Sequence, residues 1–485
     1  MKKLLIVKRL FVLSFVSALM MLAGCTKDIS SLNGDPKHPS VVPGETLVSN
    51  AQANLANYYT TPDVNTNIFE LIMQYWAETT YPQESQYILS ERNIPRFWWS
   101  AMYVSVLKNL EQGEQLIAAE PVLPTIGAQS VATRDNKLAI VNICKVYAFA
   151  ILVNTFGNIP YTEALDYNNT TPKYDDQKTV FYALTDSLDA ALAKLDPGSS
   201  GLGSADLLYQ DDVAGWIKFA NTLKLRMGMQ LADVDAAKAK TMVEAAAPGA
   251  FASNADNGLF KFISTPPNTN PIWTNLVQSN RNDFVPTNTL IDPMNASSDP
   301  RLSAYFTPGP DGPFIGGVSG NGNTYDNFSH VTDAIKAADF PTLLLDFSEV
   351  QFLKAEAVER GFNVGGTAVS HYDSAVTASI TYWGGSAGDA ATYLAMPGVS
   401  YTTATWQERI GVQQWISYYL RGFDAWTSWR RLGWPKIVAP SSAVSATPVR
   451  FVYPDNEQNV NEANWKAASA AIGGDNVTTK LFWMK

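Results

Sequence analysis

Residues 345–361 read LDFSEVQFLKAEAVERG and have the pattern of an amphipathic helix with its own start and stop signals. Ser348 and Gln351 have the spacing of a capping box, which marks the first turn of a helix. Gly361 is of the residue type that commonly follows a helix, because glycine adopts the left-handed conformation without strain. The stretch therefore predicts a helix over 347–360.

The next periodic segment predicts a second helix over 367–381, so that the two helices would form a hairpin. Small and aromatic residues recur at the positions that would face each other: Phe352 and Ala355 in the first helix, and Ala368, Tyr372 and Ala375 in the second. This pattern resembles a tetratricopeptide helix pair. Such a pair buries little apolar surface alone and needs stacked neighbours. An ordinary helical hairpin fits the same residues.

Helical periodicity also dominates much of the remaining chain. It predicts helices over 46–59, 66–78, 97–119, 133–155, 177–195, 212–231, 235–246, 405–420 and 422–431. Two stretches, about 250–340 and 383–404, lack this periodicity, and a third irregular stretch runs over 438–480. Long loops in a compact protein are commonly functional surfaces. We therefore expect a mainly α fold with long irregular loops.

Composition excludes several classes of protein. Of the 485 residues, 16% are charged and 12% aromatic, which argues against general disorder. The formal net charge of -10 makes nucleic acid a poor partner, since phosphate binding needs clustered Lys and Arg. Three His and two Cys leave too few ligands for most zinc and iron sites, although an all-oxygen calcium site stays open. We predict no cofactor and no metal ligand.

The N-terminus has the features of a targeting segment. Four cations are followed by an apolar run from Leu10 to Leu22, which is too short to span a bilayer. The run ends in Leu22-Ala23-Gly24-Cys25, which resembles a bacterial lipobox. An ordinary secretory signal with a chance cysteine is the alternative.

The lipobox divides the N-terminal region into a signal peptide over 1–24 and a lipidated tether over 25–45, with Cys25 as the lipidation site. Lipidation would anchor the protein to a membrane without spanning it. The formal net charge would change from -10 to -14, because four cations and no acid lie in the leader. Cys144 would be the remaining cysteine, in an apolar run typical of the core.

Several motifs together resemble the SusD/RagB family, the surface nutrient-binding lipoproteins of Bacteroidetes. Residues 154–164, NTFGNIPYTEA, resemble the family's YGDIPYTEA motif, and 345–361 resemble a second family segment. Residues 299–302, DPRL, and 423–435, FDAWTSWRRLGWP, fit the SusD-like branch, so the similarity covers 22–485 in the expected order. Asn158 replaces the more common Asp of the first motif, which we interpret as a variation in turn chemistry.

The resemblance implies both an architecture and a function. It implies one helical domain over 46–485, a tetratricopeptide-like body of helical hairpins whose long irregular loops form the ligand face. It also implies that this domain is anchored by lipid at the cell outer membrane and exposed on the surface. It further implies capture of an oligosaccharide, or in some branches of a peptide, for delivery to a SusC-like TonB-dependent transporter without catalysis. A tetratricopeptide-type lipoprotein scaffold for protein partners and a lipid-anchored hydrolase are the alternatives from other classes.

Glycan binding needs flat apolar faces and planar hydrogen-bonding groups, and the sequence supplies this mixture in three places. The first is a helix end and the loop after it, with Trp76, Tyr81 and Tyr87. Core packing is the alternative for Trp76. The second is Trp98, which shares a helix side with polar residues and is expected to be partly exposed.

The third place lies in the irregular middle of the chain, with Trp273, Asn275, Arg281 and Asp283. Arg281 and Asp283 could instead pair with each other as a surface ion pair of little energy.

Catalysis has weaker support. The adjacent pairs Asp175-Asp176 and Asp211-Asp212 both precede predicted helices, so N-cap roles explain them better than a glycosidase carboxyl pair. The sequence has no G-x-S-x-G, Walker-type or H-E-x-x-H motif. We therefore predict no catalytic residue.

Overall fold

Helices form the body of the protein, as the sequence predicts. The computed structural model describes residues 42–124 and 129–484. The expected signal peptide, Cys25 and most of the tether lie outside these residues. The chain from Gly44 onward forms a single unit by its internal contacts.

The helices, in chain order, are α1 Gly44–Thr60, α2 Phe69–Ile72, α3 Ile94–Ser100, α4 Lys108–Ala119, α5 Val131–Phe156, α6 Gln177–Leu192, α7 Val213–Gln230, α8 Ala236–Ala246, α9 Asn288–Ala296, α10 Leu302–Tyr305, α11 Phe347–Glu359, α12 Ala368–Tyr382, α13 Ala387–Leu394, α14 Trp406–Ser417, α15 Gly422–Leu432, α16 Asp455–Val460 and α17 Glu462–Ala471. A π-helical segment, Ala101–Leu107, joins α3 to α4, and another spans Trp273–Gln278. Consecutive helices pack as hairpins, chiefly α5 with α6, α7 with α8, α11 with α12 and α14 with α15.

Six short strands form three two-stranded antiparallel ladders on the loop side of the body. The strands are β1 Trp76–Glu78, β2 Gly258–Phe260, β3 Phe284–Pro286, β4 Phe306–Thr307, β5 His330–Val331 and β6 Thr342–Leu345. β1 pairs with β3, β2 with β6, and β4 with β5. The β1–β3 and β2–β6 ladders join segments far apart in sequence, whereas β4 and β5 pair within one irregular stretch.

The hairpin of α11 and α12 confirms the helix pair predicted from residues 345–361. Phe352, Tyr372 and Ala375 are fully buried in one apolar cluster between the two helices. The helix begins at Phe347 as predicted, but the predicted capping box at Ser348 is wrong, because the N-cap is Asp346, which accepts a hydrogen bond from the Glu349 N–H at 2.9 Å. The Ser348 hydroxyl donates instead to the Ala375 carbonyl in α12 at 2.9 Å.

Two further predictions differ from the structure. The segment 66–78 contains only the short helix α2 and then strand β1, since Gln74 has a left-handed φ of 54° that ends helical geometry. Pairing of β1 with β3 overrides the helical periodicity there. The irregular stretch 383–404 contains α13, which begins at a capping box formed by Ser386 and Asp389. That spacing is visible in the sequence.

The turn after α5 carries the first family-like motif. Gly157 has a φ of 85°, which favours glycine, and the Asn158 side-chain oxygen accepts a hydrogen bond from the Gln177 N–H at 2.9 Å. Asn158 thus ties the end of α5 to the start of α6, which confirms its predicted role in turn chemistry. Asp176 caps α6 as predicted, by accepting from the Thr179 N–H at 2.9 Å. Asp212 stands at the N-cap of α7 as predicted, but its side chain makes no capping hydrogen bond.

Helix α5 is long and apolar enough to cross a membrane, but 83% of its most apolar window is buried inside the body. It is the central core helix. Cys144 on this helix is buried, as predicted, and burial raises the pKa of its thiol to about 12.

A buried ionic cluster links α7, α11 and α15. It consists of Arg226, Asp346, Glu349, Arg421 and Asp424. Glu349 contacts both guanidinium groups, at 2.7 Å from Arg226 Nη2 and 2.6 Å from Arg421 Nη2. Burial alone would raise the pKa of Glu349, but the two guanidinium groups outweigh it and hold the pKa below its usual range.

Candidate functional site

An open cleft on the loop side, the main cleft, brings together three distant segments of the chain. Its volume is about 580 Å³ including its mouth. It is lined by Pro62, Asp63, Val64, Asn65, Glu78, Thr80, Tyr81, Glu84, Arg92, Asn275, Arg281, Asp283 and Phe284.

The β1–β3 ladder creates the main cleft. Glu78 lies opposite Phe284 in the ladder, and just beyond it the Thr79 N–H donates to the Asp283 carbonyl at 2.9 Å. The Thr79 hydroxyl donates to the Asn282 carbonyl at 2.6 Å. The loop after β1 and the loop before β3 are therefore fixed side by side.

Four of the predicted ligand-binding residues meet in this cleft, although the sequence placed them in two separate regions. Tyr81 is 69% exposed and follows β1 with a left-handed φ of 57°. Asn275, on the second π-helical segment, is half-buried and donates to the Pro271 carbonyl at 2.9 Å. Arg281 and Asp283 form an ion pair with an Nε–Oδ2 distance of 2.6 Å, which is the pairing expected as their alternative role.

Three other predicted residues pack in the core and present no face to a ligand, which corrects their proposed role. Trp76 is 1% exposed, stacks on Phe284 with ring centroids 5.3 Å apart and donates to the Tyr419 hydroxyl at 3.0 Å. Tyr87 is 3% exposed, with its hydroxyl 3.5 Å from that of Thr447.

The expectation that Trp98 is partly exposed is wrong, since its exposed fraction is 0%. Trp98 packs edge-on against Phe69 at 5.1 Å, whereas Trp99 packs against Phe156 at 4.9 Å. Helix α3 is buried on two sides, so the assumption of a single buried stripe failed. Trp273 is half-buried and does not line the main cleft.

The main cleft also contains charged residues that the sequence analysis missed. Asp63, Glu78, Glu84 and Arg92 line it together with the Arg281–Asp283 pair. Arg92 forms an ion pair with Glu84. Neither Glu78 nor Glu84 belongs to a recognisable sequence motif. Only the pairing of distant segments in the structure shows that both line the main cleft.

Burial changes the protonation of the cleft floor. Burial raises the pKa of Glu78 to about 8, and a hydrogen bond with Glu84 contributes to the shift. At the rim, the hydrogen bond to Asp283 raises the pKa of Arg281, which is exposed. The cleft therefore combines a protonated carboxyl in its floor with an exposed ion pair and aromatic ring at its edge.

A second cleft adjoins the main cleft across the ridge formed by Arg281, Asp283 and Phe284. Its volume is about 640 Å³ including its mouth, and its far wall contains Tyr325 and Lys336. The Tyr325 ring stacks on His330, with centroids 3.8 Å apart and planes at 6°. An extended ligand lying across the ridge could contact both clefts.

The part of the chain that the structure describes contains no candidate metal-binding group. Within 42–124 and 129–484, no group of three or more His, Cys, Asp or Glu residues is arranged to hold a metal ion. The chemistry of the main cleft is that of hydrogen bonding, ring stacking and ion pairing.

Comparisons with known proteins agree with this architecture. The sequence model of a family described as "Starch-binding associating with outer membrane", SusD-like_2, matches residues 36–454. No curated protein matches the sequence.

Three solved structures illustrate the structural similarity. A chitin-binding protein is 26% identical, with a TM-score of 0.78 over 91% of this chain and 99% of its own. A SusD homolog from Bacteroides uniformis is 28% identical, with a TM-score of 0.75 over 90% and 99%. A chitin-binding SusD homolog from Flavobacterium johnsoniae is 25% identical, with a TM-score of 0.75 over 91% and 98%.

Proposed function

This chain belongs to the SusD/RagB family, and from that premise we propose that it binds an oligosaccharide in the main cleft without cleaving it. The family description and the chitin-binding relatives support a glycan as ligand. The peptide ligands of other family branches become an outcome of the binding test.

The observation that carries the proposal is the meeting of Tyr81, Asn275, Arg281 and Asp283 in one cleft. The exposed ring of Tyr81 offers an apolar face to a sugar ring. The Arg281–Asp283 pair and the Asn275 amide offer planar donors and acceptors to sugar hydroxyls. Because the two clefts share one ridge, a chain of several sugars fits the surface better than a single sugar.

Isothermal titration of the full chain, purified in detergent, tests this proposal. The titrants are oligomers of glucose, of N-acetylglucosamine and of other neutral sugars, with a mixed peptide library as the comparison. We expect binding to at least one oligosaccharide, and affinity that increases from one sugar unit to several. Tight binding of peptides together with no binding of any oligosaccharide would contradict the proposal.

Catalysis is tested on the ligand found by titration. We expect no cleavage of that ligand by the wild-type chain over hours. Steady product formation that is lost in Asp283→Asn would contradict a pure binding function and support a hydrolase.

The proposal also includes anchoring and delivery. Cys25 would carry a lipid that holds the protein at the outer membrane, exposed on the cell surface, and a SusC-like TonB-dependent transporter would receive the ligand. Protease shaving of whole cells should degrade the wild-type chain. Cys25→Ser should abolish incorporation of radiolabelled palmitate, and affinity capture of the tagged wild-type chain from membranes should recover a TonB-dependent transporter. Protection of the wild-type chain from protease in intact cells would support a periplasm-facing scaffold.

A further inference from the structure

The main cleft contains more carboxyl groups than its cations can neutralise. Asp63, Glu78, Glu84 and Asp283 supply four carboxyls, whereas the cations lining it are Arg92 and Arg281. Both guanidinium groups are already engaged, Arg92 with Glu84 and Arg281 with Asp283. Arg281 also attracts Asp63, so two carboxylates depend on this one cation, and Glu78 is left without a cation of its own among the lining residues.

The floor of the cleft shows the same imbalance at atomic detail. Glu84 has an exposed fraction of 0%, and its Oε2 atom accepts no hydrogen bond from any N–H or hydroxyl group of the described residues. Glu78, which is 3% exposed, accepts at Oε2 from the Ser85 N–H at 3.0 Å. Arg92 pairs with the other oxygen of Glu84, Oε1, and the Glu78 carboxyl lies beside Glu84, where burial and a hydrogen bond to Glu84 raise the pKa of Glu78 to about 8.

A ligand that brings its own positive charge would satisfy this pair. A protonated amine carries several N–H donors, which match the free oxygen of Glu84 and the carboxylate of Glu78. The half-buried Asp63 adds attraction nearby, and the Tyr81 ring at the edge offers a π face to a cation or to the sugar that bears it. A carboxylated sugar would meet repulsion from the same groups.

We propose that the main cleft prefers an amino sugar with a free, protonated amine over its acetylated form and over an acidic sugar. This inference rests on the proposed function, because it names the class of oligosaccharide that the same cleft takes. The ammonium group would lie against the part of the cleft that Glu78 and Glu84 line and donate to the free Oε2 of Glu84.

The exchange has a balanced proton count. The Glu78 carboxyl loses its proton to the buffer as the ammonium group binds, and the ligand keeps all of its own N–H protons. Below about pH 8, where burial keeps Glu78 protonated in the free protein, binding therefore releases a proton. Arg92 and Arg281 keep their charge throughout, because guanidinium groups do not lose a proton in this range.

Titration of the full chain at about pH 6 with three hexamers tests the inference: glucosamine, N-acetylglucosamine and galacturonate. We expect the glucosamine hexamer to bind about tenfold or more tighter than the acetylated hexamer, and the acidic hexamer to bind weakest. Repeating the glucosamine titration in buffers of different ionisation enthalpy should show the release of about one proton. The preference should decrease at about pH 9, where the sugar amine is neutral.

The variant Glu78→Gln should abolish the proton release and reduce the preference for the glucosamine hexamer over the acetylated hexamer. Glu84→Gln provides a second variant, with thermal unfolding as the check that its loop is still folded. Glu462→Gln is the matched control, because Glu462 is exposed, pairs with Lys466 and does not line the cleft.

Two results would overturn the inference. One is equal or tighter binding of the acetylated hexamer without proton release, which would leave the proposed function intact. The other is a preference for the amine that persists in both Glu78→Gln and Glu84→Gln. Binding of no oligosaccharide at all would instead contradict the proposed function together with the inference.

Discussion

The buried ionic cluster and the main cleft are built from the same types of charged side chain, but they balance them differently. In the cluster, the single guanidinium group of Arg421 contacts three carboxylates, those of Asp346, Glu349 and Asp424. The four side chains are each at most 5% exposed. In the cleft, the Arg281 side chain is 62% exposed and contacts one carboxylate.

The difference in charge balance suits the cluster to stabilising the fold and the main cleft to binding a ligand. Charges in the buried ionic cluster are paired with each other, because an unpaired buried charge would be very costly. The cleft keeps surplus carboxyls and an exposed ring, which a ligand can satisfy. Substitutions in the two regions should therefore affect different measurements.

The largest effect is expected in the ionic cluster. Glu349→Gln removes a charge that contacts two buried guanidinium groups and leaves both partly uncompensated. The free energy of unfolding should fall by about 3–5 kcal/mol, as measured by urea denaturation. Ligand affinity of the folded fraction should be unchanged, because the cluster does not line the main cleft.

The same substitution in an exposed pair is the control. Glu462 and Lys466 are both more than half exposed, so Glu462→Gln should lower the free energy of unfolding by less than about 0.5 kcal/mol. Equal losses in the two variants would show that the buried cluster is no more important to stability than a surface pair.

A body carboxyl without a cation should have the second largest effect. Glu70 Oε1 accepts from the Gly422 N–H at 2.6 Å, while Oε2 is buried and has no hydrogen-bond partner among the described residues. Burial raises the pKa of Glu70 from 4.5 to about 8. Between these values the folded state binds more protons than the unfolded state, so the free energy of unfolding decreases as pH rises.

Glu70→Gln should therefore increase the free energy of unfolding by about 3 kcal/mol at pH 7, with little change at pH 4.5. Urea denaturation from pH 4.5 to 8 should show a shallower pH dependence for the variant. Glu78 contributes a slope of the same sign, so some dependence should persist. An unchanged slope would mean that Glu70 is ionised in the folded protein.

The sequence predicted the helical body well because helix periodicity and capping are local. The hairpin of α11 and α12, the turn at Asn158 and the buried Cys144 all follow from nearby residues. The ionic cluster was not predicted, since Arg226, Glu349 and Arg421 come from segments whose contacts are set by tertiary packing.

The cleft was predicted in part. Tyr81 and the Arg281–Asp283 pair were identified from residue type and loop context, but their meeting depends on the β1–β3 ladder, which joins distant segments. Trp76 and Trp98 were assigned to ligand binding because residue type alone does not show whether an aromatic ring is buried. The protonation of Glu78 depends on burial beside Glu84 and is invisible in the sequence.

The smallest expected effect, and the sharpest test of the comparison, is at Tyr81. Tyr81→Ala removes an exposed ring from the edge of the main cleft without leaving a cavity, so the free energy of unfolding should change by less than about 0.5 kcal/mol. Oligosaccharide affinity should fall about tenfold, or about 1.4 kcal/mol, in isothermal titration.

Tyr167, which is 82% exposed and does not line the cleft, provides the matched control, and Tyr167→Ala should leave affinity unchanged. Equal affinity losses in both variants would indicate a nonspecific effect of removing surface rings, and no loss in Tyr81→Ala would place the ligand elsewhere.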